Sequence, residues 1–265
     1  MGTKQDTGKF RKNTNDMYYT KKDVAKNCIE IIRQEIEDSE TYQWIEPSAG
    51  NGVFLVDNCI ALDIEPKNTN VIKEDFLKYV PNTRKKILIY GNPPFGKQSS
   101  LAKKFIKHAS SFSDVIAFIL PRSFVKPSMN NVFPEHFHCI CSKEIDSNSF
   151  EVNETSYDVP CVFQIWLKKD TRREKELKIE PLGFNYVKNT DSYDLTIRRV
   201  GVNAGTAKDK SVKVSAQSHY FIKLDDVSKK EDLIVAINNH IFPSNTVGPR
   251  SLSKNEINLV LNIKL

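Results

Sequence analysis

The chain has 265 residues, of which 39% are hydrophobic and 27% charged, and its formal net charge is +6. This composition excludes an intrinsically disordered chain, and the length suggests one full-sized domain with a smaller one beside it. The mild basic excess is compatible with a polyanionic partner but does not require one.

The first 17 residues are polar and basic, and we expect them to form a flexible amino-terminal segment. They lack the apolar run of a secretory signal. No later stretch approaches the ~18 consecutive apolar residues that cross a bilayer. The sequence therefore predicts a soluble intracellular protein with no membrane partner.

Short apolar runs alternate with amphipathic stretches between residues 18 and 170, which is typical of a mostly parallel sheet covered by helices. Apolar residues at helical spacing predict one helix over 21–37 and another over 99–112. We therefore expect an α/β domain with a Rossmann-like sheet. The predicted strands are 43–49, 59–64, 70–76, 86–94, 114–124, 137–145 and 159–169.

A charged linker follows Lys169, and the alternating pattern stops there, so we place a domain boundary near residue 170. For residues 171–265 the sequence predicts a small α+β region that could take part in substrate recognition. Its predicted elements are strands over 193–202 and 212–224, a helix over 229–242 and an amphipathic segment over 253–265.

The five cysteines lie mostly in apolar segments, which indicates reduced core thiols rather than a disulfide framework. His136, His138, Cys139 and Cys141 are close enough in sequence to raise the question of a zinc site. No second Cys/His pair follows at zinc-finger spacing, and Phe137 alternates with the two cysteines as one face of a strand would. We therefore expect no metal.

Residues 46–52 read Glu-Pro-Ser-Ala-Gly-Asn-Gly, and they are predicted to end the first strand of the domain and open a short helix. Gly50 and Gly52 would let the backbone approach a nucleotide-like ligand at the helix N-terminus. A plain strand-to-helix turn is the alternative interpretation.

Two carboxylates end the next two predicted strands. Asp63 is placed where it could accept hydrogen bonds from both hydroxyls of a ribose. Asp75 could accept from an adenine amino group, with Phe76 against the ring. For either acid, a solvated strand end is the alternative.

The most specific motif is Asn92-Pro93-Pro94-Phe95, at the end of the fourth predicted strand. Consecutive prolines remove two backbone donors and fix φ, so the Asn92 side-chain oxygen and a carbonyl of the turn can be held toward one point. Two such acceptors match a planar amino group, which donates two hydrogen bonds. Phe95 adds a face for stacking. The alternative is a purely structural proline-rich turn.

These motifs, in this order, resemble those of amino-group methyltransferases, a class that includes the adenine N6-methyltransferases of DNA and RNA. Tyr18-Tyr19-Thr20 is similar to the amino-terminal cofactor motif of such enzymes. The resemblance covers residues 18–170 and implies a Rossmann-like methyltransferase fold, S-adenosylmethionine as cofactor and a nucleic acid as substrate. It gives the catalytic role to Asn92, Pro93, Pro94 and Phe95. The implied cofactor-binding residues are Tyr19, Thr20, Glu46, Gly50, Gly52, Asp63, Asp75 and Phe76.

Two other functions stay open. Asn-Pro-Pro followed by an aromatic residue is shared with enzymes that methylate a glutamine side-chain amide, since an amide nitrogen is also planar. Three features favour adenine over glutamine as the acceptor: Phe95 in place of tyrosine, the Tyr18–Thr20 segment and the additional carboxy-terminal region. A catalytically inactive nucleic-acid-binding module would be expected to have lost Asn92 or Asp63, and both are present.

An extruded base needs a second aromatic wall and phosphate contacts. Phe150 is the first choice for that wall and Tyr157 the second, although Phe150 could instead fold onto the core. Arg122 and Lys126 follow the fifth predicted strand, where they could contact phosphate or remain ordinary surface charges. Arg198, with Arg199 beside it, could belong to a mobile nucleic-acid-binding loop or to a solvated hairpin.

Overall fold

The computed structural model describes residues 18–152, 155–174, 177–243 and 250–264. The predicted flexible segment 1–17 lies outside these ranges. The described chain divides into two compact units, an N-terminal unit up to residue 174 and a C-terminal unit from Leu177 onward. Within the described ranges, no helix is both long and apolar enough to span a bilayer.

The N-terminal unit is built from short strands and three α-helices. In chain order the strands are β1 (Tyr19–Thr20), β2 (Gln43–Glu46), β3 (Ile60–Asp63), β4 (Ile72–Lys73), β5 (Ile87–Gly91), β6 (Val115–Pro121), β7 (Phe137–Glu144), β8 (Phe150–Val152), β9 (Thr155–Tyr157) and β10 (Cys161–Lys168). The helices are α1 (Lys22–Glu35), α2 (Ser100–Ala109) and α3 (Pro127–Asn130).

Seven of these strands form one sheet in the order β4-β3-β2-β5-β6-β10-β7. The first five are parallel, whereas β10 runs antiparallel to both β6 and β7. This confirms the predicted α/β class, and the strand order is that of a Rossmann-like methyltransferase sheet. Because the chain winds in opposite directions from β2 and β5, a crevice forms beyond the carboxyl ends of these strands.

Burial explains why the central strands read as unbroken apolar runs. Every residue of β5 and β6 is buried, as expected for strands covered on both faces. Both predicted helices are confirmed, and each buries one face: α1 through Cys28 and Ile32, α2 through Phe105 and Ile106.

The short helix predicted after residue 46 is wrong. Turns occupy the chain between Glu46 and Ile60. Gly50 and Gly52 have φ of +48° and +82°, in the left-handed region that a right-handed helix cannot contain. A ligand in this crevice is therefore approached by a glycine turn and not by a helix N-terminus.

A small three-stranded sheet, in the order β1-β8-β9, has no counterpart among the predicted elements. Tyr19 pairs with Glu151, and Thr20 with Phe150, in antiparallel register. Strands of two or three residues are too short to show a periodicity, so only the tertiary pairing identifies them. The pairing brings the residues just before α1 beside a segment more than a hundred positions later.

The predicted common face of Phe137, Cys139 and Cys141 is only partly correct. The pairing of β7 with β10 shifts where Cys141 and Cys139 meet Ile165 and Trp166. This bulge leaves Phe137 and Cys141 buried but Cys139 exposed. In the part of the chain that the structure describes, all five cysteines are free thiols, and no group of three or more His, Cys, Asp or Glu residues is arranged to hold a metal.

The C-terminal unit is an α+β region, as predicted. Strands β11 (Phe184–Val187), β12 (Leu195–Arg198), β13 (Ala207–Asp209) and β14 (His219–Leu224) form an antiparallel sheet in the order β11-β14-β12-β13. Helices α4 (Lys230–Asn239) and α5 (Lys254–Lys264) contribute Leu233, Ile237 and Leu261 to a core shared with the sheet. The sequence missed β11 and β13.

Candidate active site

A cavity of about 620 Å³ lies in the N-terminal unit at the carboxyl ends of β2, β3 and β5. Most of the predicted site residues line it: Tyr19, Thr20, Glu46, Gly50, Asp63, Asp75, Phe76, Asn92, Pro93, Pro94, Phe95 and Phe150. Gly52, Arg122 and Lys126 are not among the lining residues.

Asn92 directly follows the last residue of β5, and its side-chain amide is held from one side. Nδ2 donates to Thr20 Oγ1 at 3.1 Å and to the carbonyl oxygen of Tyr18 at 3.3 Å. Because both of these acceptors lie beside Nδ2, the amide oxygen Oδ1 is at the opposite end of the group, away from them. That oxygen is buried and has no hydrogen-bond partner among the described residues. Asn92 is a lining residue of the cavity, so a ligand there could supply the donor that the described residues do not.

The proline turn after Asn92 is fixed at both ends. Ser48 Oγ donates to the Asn92 carbonyl oxygen at 3.1 Å. The amides of Leu101 and Ala102, in the first turn of α2, donate to the carbonyl oxygen of Phe95. Because the two prolines between these anchors have fixed φ, the turn has little freedom to move. The largely buried Phe95 ring forms part of the cavity wall.

Asp63 connects the end of β3 to the glycine turn. Its Oδ2 accepts from the Gly50 amide and its Oδ1 from the Glu65 amide, both at 2.8 Å. These bonds orient the carboxylate at the cavity wall. Ile64, the next residue, also lines the cavity and is 64% exposed. Sequence reasoning missed Ile64, although its position directly after a strand-end acid was the available signal.

Glu46 is a carboxyl group that is only 1% exposed, and its Oε2 lacks a hydrogen-bond partner within the described chain. Burial, with a smaller contribution from the nearby Asp63 carboxylate, raises the pKa of Glu46 to about 8. A Cβ on Gly91 would lie 3.1 Å from Glu46 Cγ, so the glycine at the end of β5 leaves room for this side chain. The site therefore contains a buried acid that is largely neutral at neutral pH.

Asp75 and Phe76 form another part of the wall. Asp75 Oδ1 caps a 3₁₀ turn by accepting from the Leu77 amide at 3.0 Å. Phe76 is buried and packs against Phe105 and His108, with ring centroids 5.1 and 5.0 Å away. Phe76 is thus mainly a core residue that reaches the cavity. Leu77 also lines the cavity, and no sequence pattern singled it out.

The small sheet β1-β8-β9 and the residues after it contribute to the cavity wall. Phe150 is buried and lines the cavity, as does Val159, which was not predicted. Tyr157 contacts the Tyr18 ring edge-on at 5.8 Å and is not itself a lining residue. A Cβ on Gly50 would lie only 3.1 Å from Tyr19 Cε1, so a glycine there lets the Tyr19 ring approach the turn.

Three predicted residues have other contacts. Arg122 forms an ion pair with Glu144. Lys126 ends the 3₁₀ turn after β6, and its amide donates to the Ser123 carbonyl oxygen. A Cβ on Gly52 would lie 2.5 Å from Asn68 Nδ2, so Gly52 allows two loops to pack together.

The two arginines proposed for a nucleic-acid loop in the C-terminal unit are also engaged. Arg198 Nε donates to the Val200 carbonyl oxygen, and Arg199 Nη2 donates to that of Gln217. Each guanidinium retains further donors that these contacts do not use.

The comparison with protein-family models finds no match, and the comparison with curated proteins finds none either. Among solved structures, a Pyrococcus horikoshii protein described as a candidate RNA methyltransferase is similar over 63% of this chain and 92% of its own, with 17% identity and a TM-score of 0.46. A Thermoplasma acidophilum protein is similar over 57% of this chain and 89% of its own, with 15% identity and a TM-score of 0.43. At this level of similarity, the activity has to be argued from the chain's own residues.

Proposed function

We propose that this protein is an S-adenosylmethionine-dependent methyltransferase that acts on the exocyclic N6 amino group of adenine in DNA or RNA. The observation that carries the proposal concerns Asn92, which lines the cavity and whose buried Oδ1 has no hydrogen-bond donor from the described chain. Leaving such an acceptor unpaired costs about 1–3 kcal/mol. The cost is accounted for if a substrate amine supplies the donor.

The walls around Asn92 fit a flat aromatic acceptor. Phe95 and Phe150 are rigid apolar surfaces of the cavity, and Val159 adds a third. An adenine amino group would donate one hydrogen to Asn92 Oδ1 and the other to a carbonyl of the proline turn. With both hydrogens held, the nitrogen lone pair is directed away from the ring plane, and positioning supplies most of the rate gain.

Other residues of the cavity have features that suit the proposed cofactor. Glu46, whose Oε2 has no hydrogen-bond partner in the described chain, would be stabilised in its charged form by a cationic group, which would lower its raised pKa. Asp63 offers carboxylate lone pairs to ribose hydroxyls, and Ile64 offers an exposed apolar surface to a purine ring. Tyr19, Thr20, Gly50, Asp75 and Phe76 complete the proposed cofactor-binding set.

When bound, S-adenosylmethionine would supply an electrophilic methyl group: a carbon–nitrogen bond would form from the amine lone pair, the carbon–sulfur bond would break to leave a thioether, and the amine would lose one proton to solvent. The side chains of this protein need only bind, orient and exclude water. Asn92 and the Pro93-Pro94 backbone hold the amine, and Phe95 and Phe150 hold the plane of the acceptor.

A glutamine side chain is the second candidate acceptor, because its amide nitrogen would satisfy Asn92 in the same way. The aromatic walls favour adenine, since a narrow aliphatic side chain would leave Phe95 and Phe150 uncovered. A nonenzymatic nucleic-acid-binding module would gain nothing from an unpaired buried amide oxygen, and the protein would be more stable without it.

Nucleic-acid binding would draw on residues outside the cavity. We include Arg122 and Lys126 as phosphate contacts, with the condition that a phosphate must compete with Glu144 for Arg122. The C-terminal unit has its own cavity of about 550 Å³, lined in part by Tyr186, Tyr220 and Lys254. Aromatic and basic side chains together suit unpaired nucleic acid, so we assign substrate recognition to this unit.

The experiment that tests the proposal offers the protein radiolabelled S-adenosylmethionine with separate pools of DNA, RNA and denatured protein. Digestion and chromatography then identify the labelled product. We expect N6-methyladenosine or its deoxy form. Label in N5-methylglutamine would select the second candidate, and no transfer to any pool, with cofactor bound, would contradict both.

A further inference from the structure

We infer that Thr20 is a positioning residue: its hydroxyl, together with the Tyr18 carbonyl oxygen, holds the Asn92 amide in the orientation that presents Oδ1 to the substrate amine. This inference rests on the proposed function and adds a second role to a residue that its motif assigns to the cofactor. It also makes the strand β1, rather than the proline turn alone, part of the catalytic apparatus.

The contacts of the amide nitrogen carry this inference. The carbonyl oxygen of Tyr18 and Thr20 Oγ1 both lie within hydrogen-bond distance of Asn92 Nδ2. A carbonyl can only accept, so turning the amide over would bring two oxygens together at Tyr18 and direct an NH₂ group at the substrate. The bond to Thr20 is the shorter of the two, and it fixes the plane in which the amide lies.

Thr20 can act in this way because it is itself fixed. It is 3% exposed, and its backbone pairs with Phe150 across β1 and β8. The next amide, that of Lys21, donates to the Ser149 carbonyl oxygen at 3.0 Å. One small sheet therefore holds both the hydroxyl that orients Asn92 and the Phe150 ring that we assign to the acceptor.

Removing the hydroxyl without changing the side-chain shape is the direct test. In Thr20→Val, Nδ2 keeps only the longer bond to Tyr18, and the amide gains freedom to rotate. We expect the single-turnover rate of methyl transfer to fall by ~10-fold to ~100-fold at saturating cofactor. Thr20→Ser retains the hydroxyl and should restore most of the rate. Because Thr20 is also one of the proposed cofactor-binding residues, cofactor affinity is measured separately by calorimetry, and the rates are compared at saturating cofactor so that a change in affinity does not enter them.

Ser149→Ala is the matched control. It also removes a buried hydroxyl beside the small sheet, but that hydroxyl donates to the Asp146 carbonyl oxygen and has no contact with Asn92. Its rate should stay near the parental rate. A parental rate in Thr20→Val, or a loss confined to cofactor affinity, would overturn the positioning role.

A double-mutant cycle separates orientation from a general loss of structure. Asn92→Asp places an oxygen at both ends of the side chain, so there is no orientation left to choose. Adding Thr20→Val to Asn92→Asp should therefore lower the remaining rate by less than ~3-fold, because residues that act through one contact are not additive. Equal losses in both backgrounds would show that Thr20 does not act through the amide.

An activity-independent measurement keeps the inference apart from the proposed function. The Asn92 side-chain NH₂ resonances should move and lose protection from exchange in Thr20→Val, but not in Ser149→Ala. If the parental protein transfers no methyl group while these resonances respond as expected, the proposed function fails and the orienting contact stands. Unchanged resonances would contradict the contact itself.

Discussion

At the scale of single residues, the molecule concentrates unpaired acceptors in one cavity. Asn92 Oδ1 and Glu46 Oε2 are both buried without partners in the described chain, and both belong to residues that line the same space. Buried polar groups are normally hydrogen-bonded, so two exceptions at one site indicate a place shaped for a ligand. Their chemistry differs, because one is an amide and the other an acid of raised pKa.

The first prediction concerns Asn92. Asn92→Ala should lower the single-turnover rate by ~100-fold or more, the scale of a lost transition-state hydrogen bond, with cofactor affinity little changed. Asn92→Asp keeps an acceptor and should retain part of the activity. The two variants are compared by methyl transfer and by cofactor titration. A parental rate in Asn92→Ala would show that the proline turn is only structural.

The second prediction concerns Asp63, whose carboxylate is already oriented by two backbone amides. Asp63→Ala should weaken S-adenosylmethionine binding by about 1.5–3 kcal/mol, since a charged acceptor is lost. Calorimetry measures the change. Asp57→Ala, which removes an exposed carboxylate, is the control and should bind normally. If both variants bind S-adenosylmethionine with the same affinity, Asp63 is not part of the cofactor site.

The third prediction follows from the raised pKa of Glu46. Its carboxyl binds a proton more tightly in the folded protein than in the unfolded one, so the stability it contributes is complete below about pH 4.5 and is lost as the pH rises through about 8. Glu46→Gln cannot ionise. Denaturant unfolding should show the variant gaining stability relative to the parental protein across that window. A difference in unfolding free energy between the two proteins that does not change with pH would contradict the raised pKa of Glu46.

At the scale of elements, the site is made where short segments from distant parts of the chain meet. The glycine turn after β2 is held by Asp63 at the end of β3, and β1 is held by pairing with β8. The turn has an internal bond from the Gly52 amide to the Ala49 carbonyl oxygen, but Asp63 supplies the contact that ties it to β3. The conformations of the turn and of β1 depend on side chains and strands supplied by other elements.

The fourth prediction belongs to the glycine turn. Gly50→Ala places a side chain in a left-handed conformation and within 3.1 Å of Tyr19, so it should cost about 1–2 kcal/mol of stability and also weaken cofactor binding. Gly183→Ala imposes a comparable left-handed strain in the C-terminal unit, where φ is +75°. We expect both to lose stability in denaturant unfolding, but only Gly50→Ala to lose affinity. Equal affinity in both would place Tyr19 and the turn outside the cofactor site.

At the scale of the whole molecule, the excess of basic over acidic residues is unevenly distributed along the chain. Residues 177–265 contain 13 Lys or Arg against nine Asp or Glu, whereas residues 1–176 contain 26 against 24. Most of the net positive charge, +4 of +6, therefore belongs to residues 177–265. Its cavity combines Lys188 and Lys254 with two tyrosines, and Lys254 Nζ lies 4.2 Å from the centroid of the Tyr186 ring.

The fifth prediction follows from this distribution. Affinity for single-stranded nucleic acid should fall steadily as salt rises, because bound phosphates release counterions. Replacing both Lys188 and Lys254 by Gln should reduce the log–log slope by roughly one to two, if each contacts a phosphate. Lys26→Gln, on the exposed face of α1, is the control. A slope that is the same in all three proteins would exclude this cavity as a phosphate-binding surface.

The sequence alone determined the α/β class, the seven strands of the main sheet and twelve of the residues that line its cavity. Apolar runs and strand-end motifs are local signals: β5 and β6 are hydrophobic throughout because both faces are covered, and Asp63 and Asn92 stand where strands end. The tertiary structure decided what depends on contacts between distant residues. It replaced the expected helix after Glu46 with turns, paired β1 with β8, and bonded the Asn92 amide to Thr20, some 72 positions away. No pattern within a short window specifies such a contact, because hydrogen bonds and left-handed turns are stabilised by whatever the fold brings next to them.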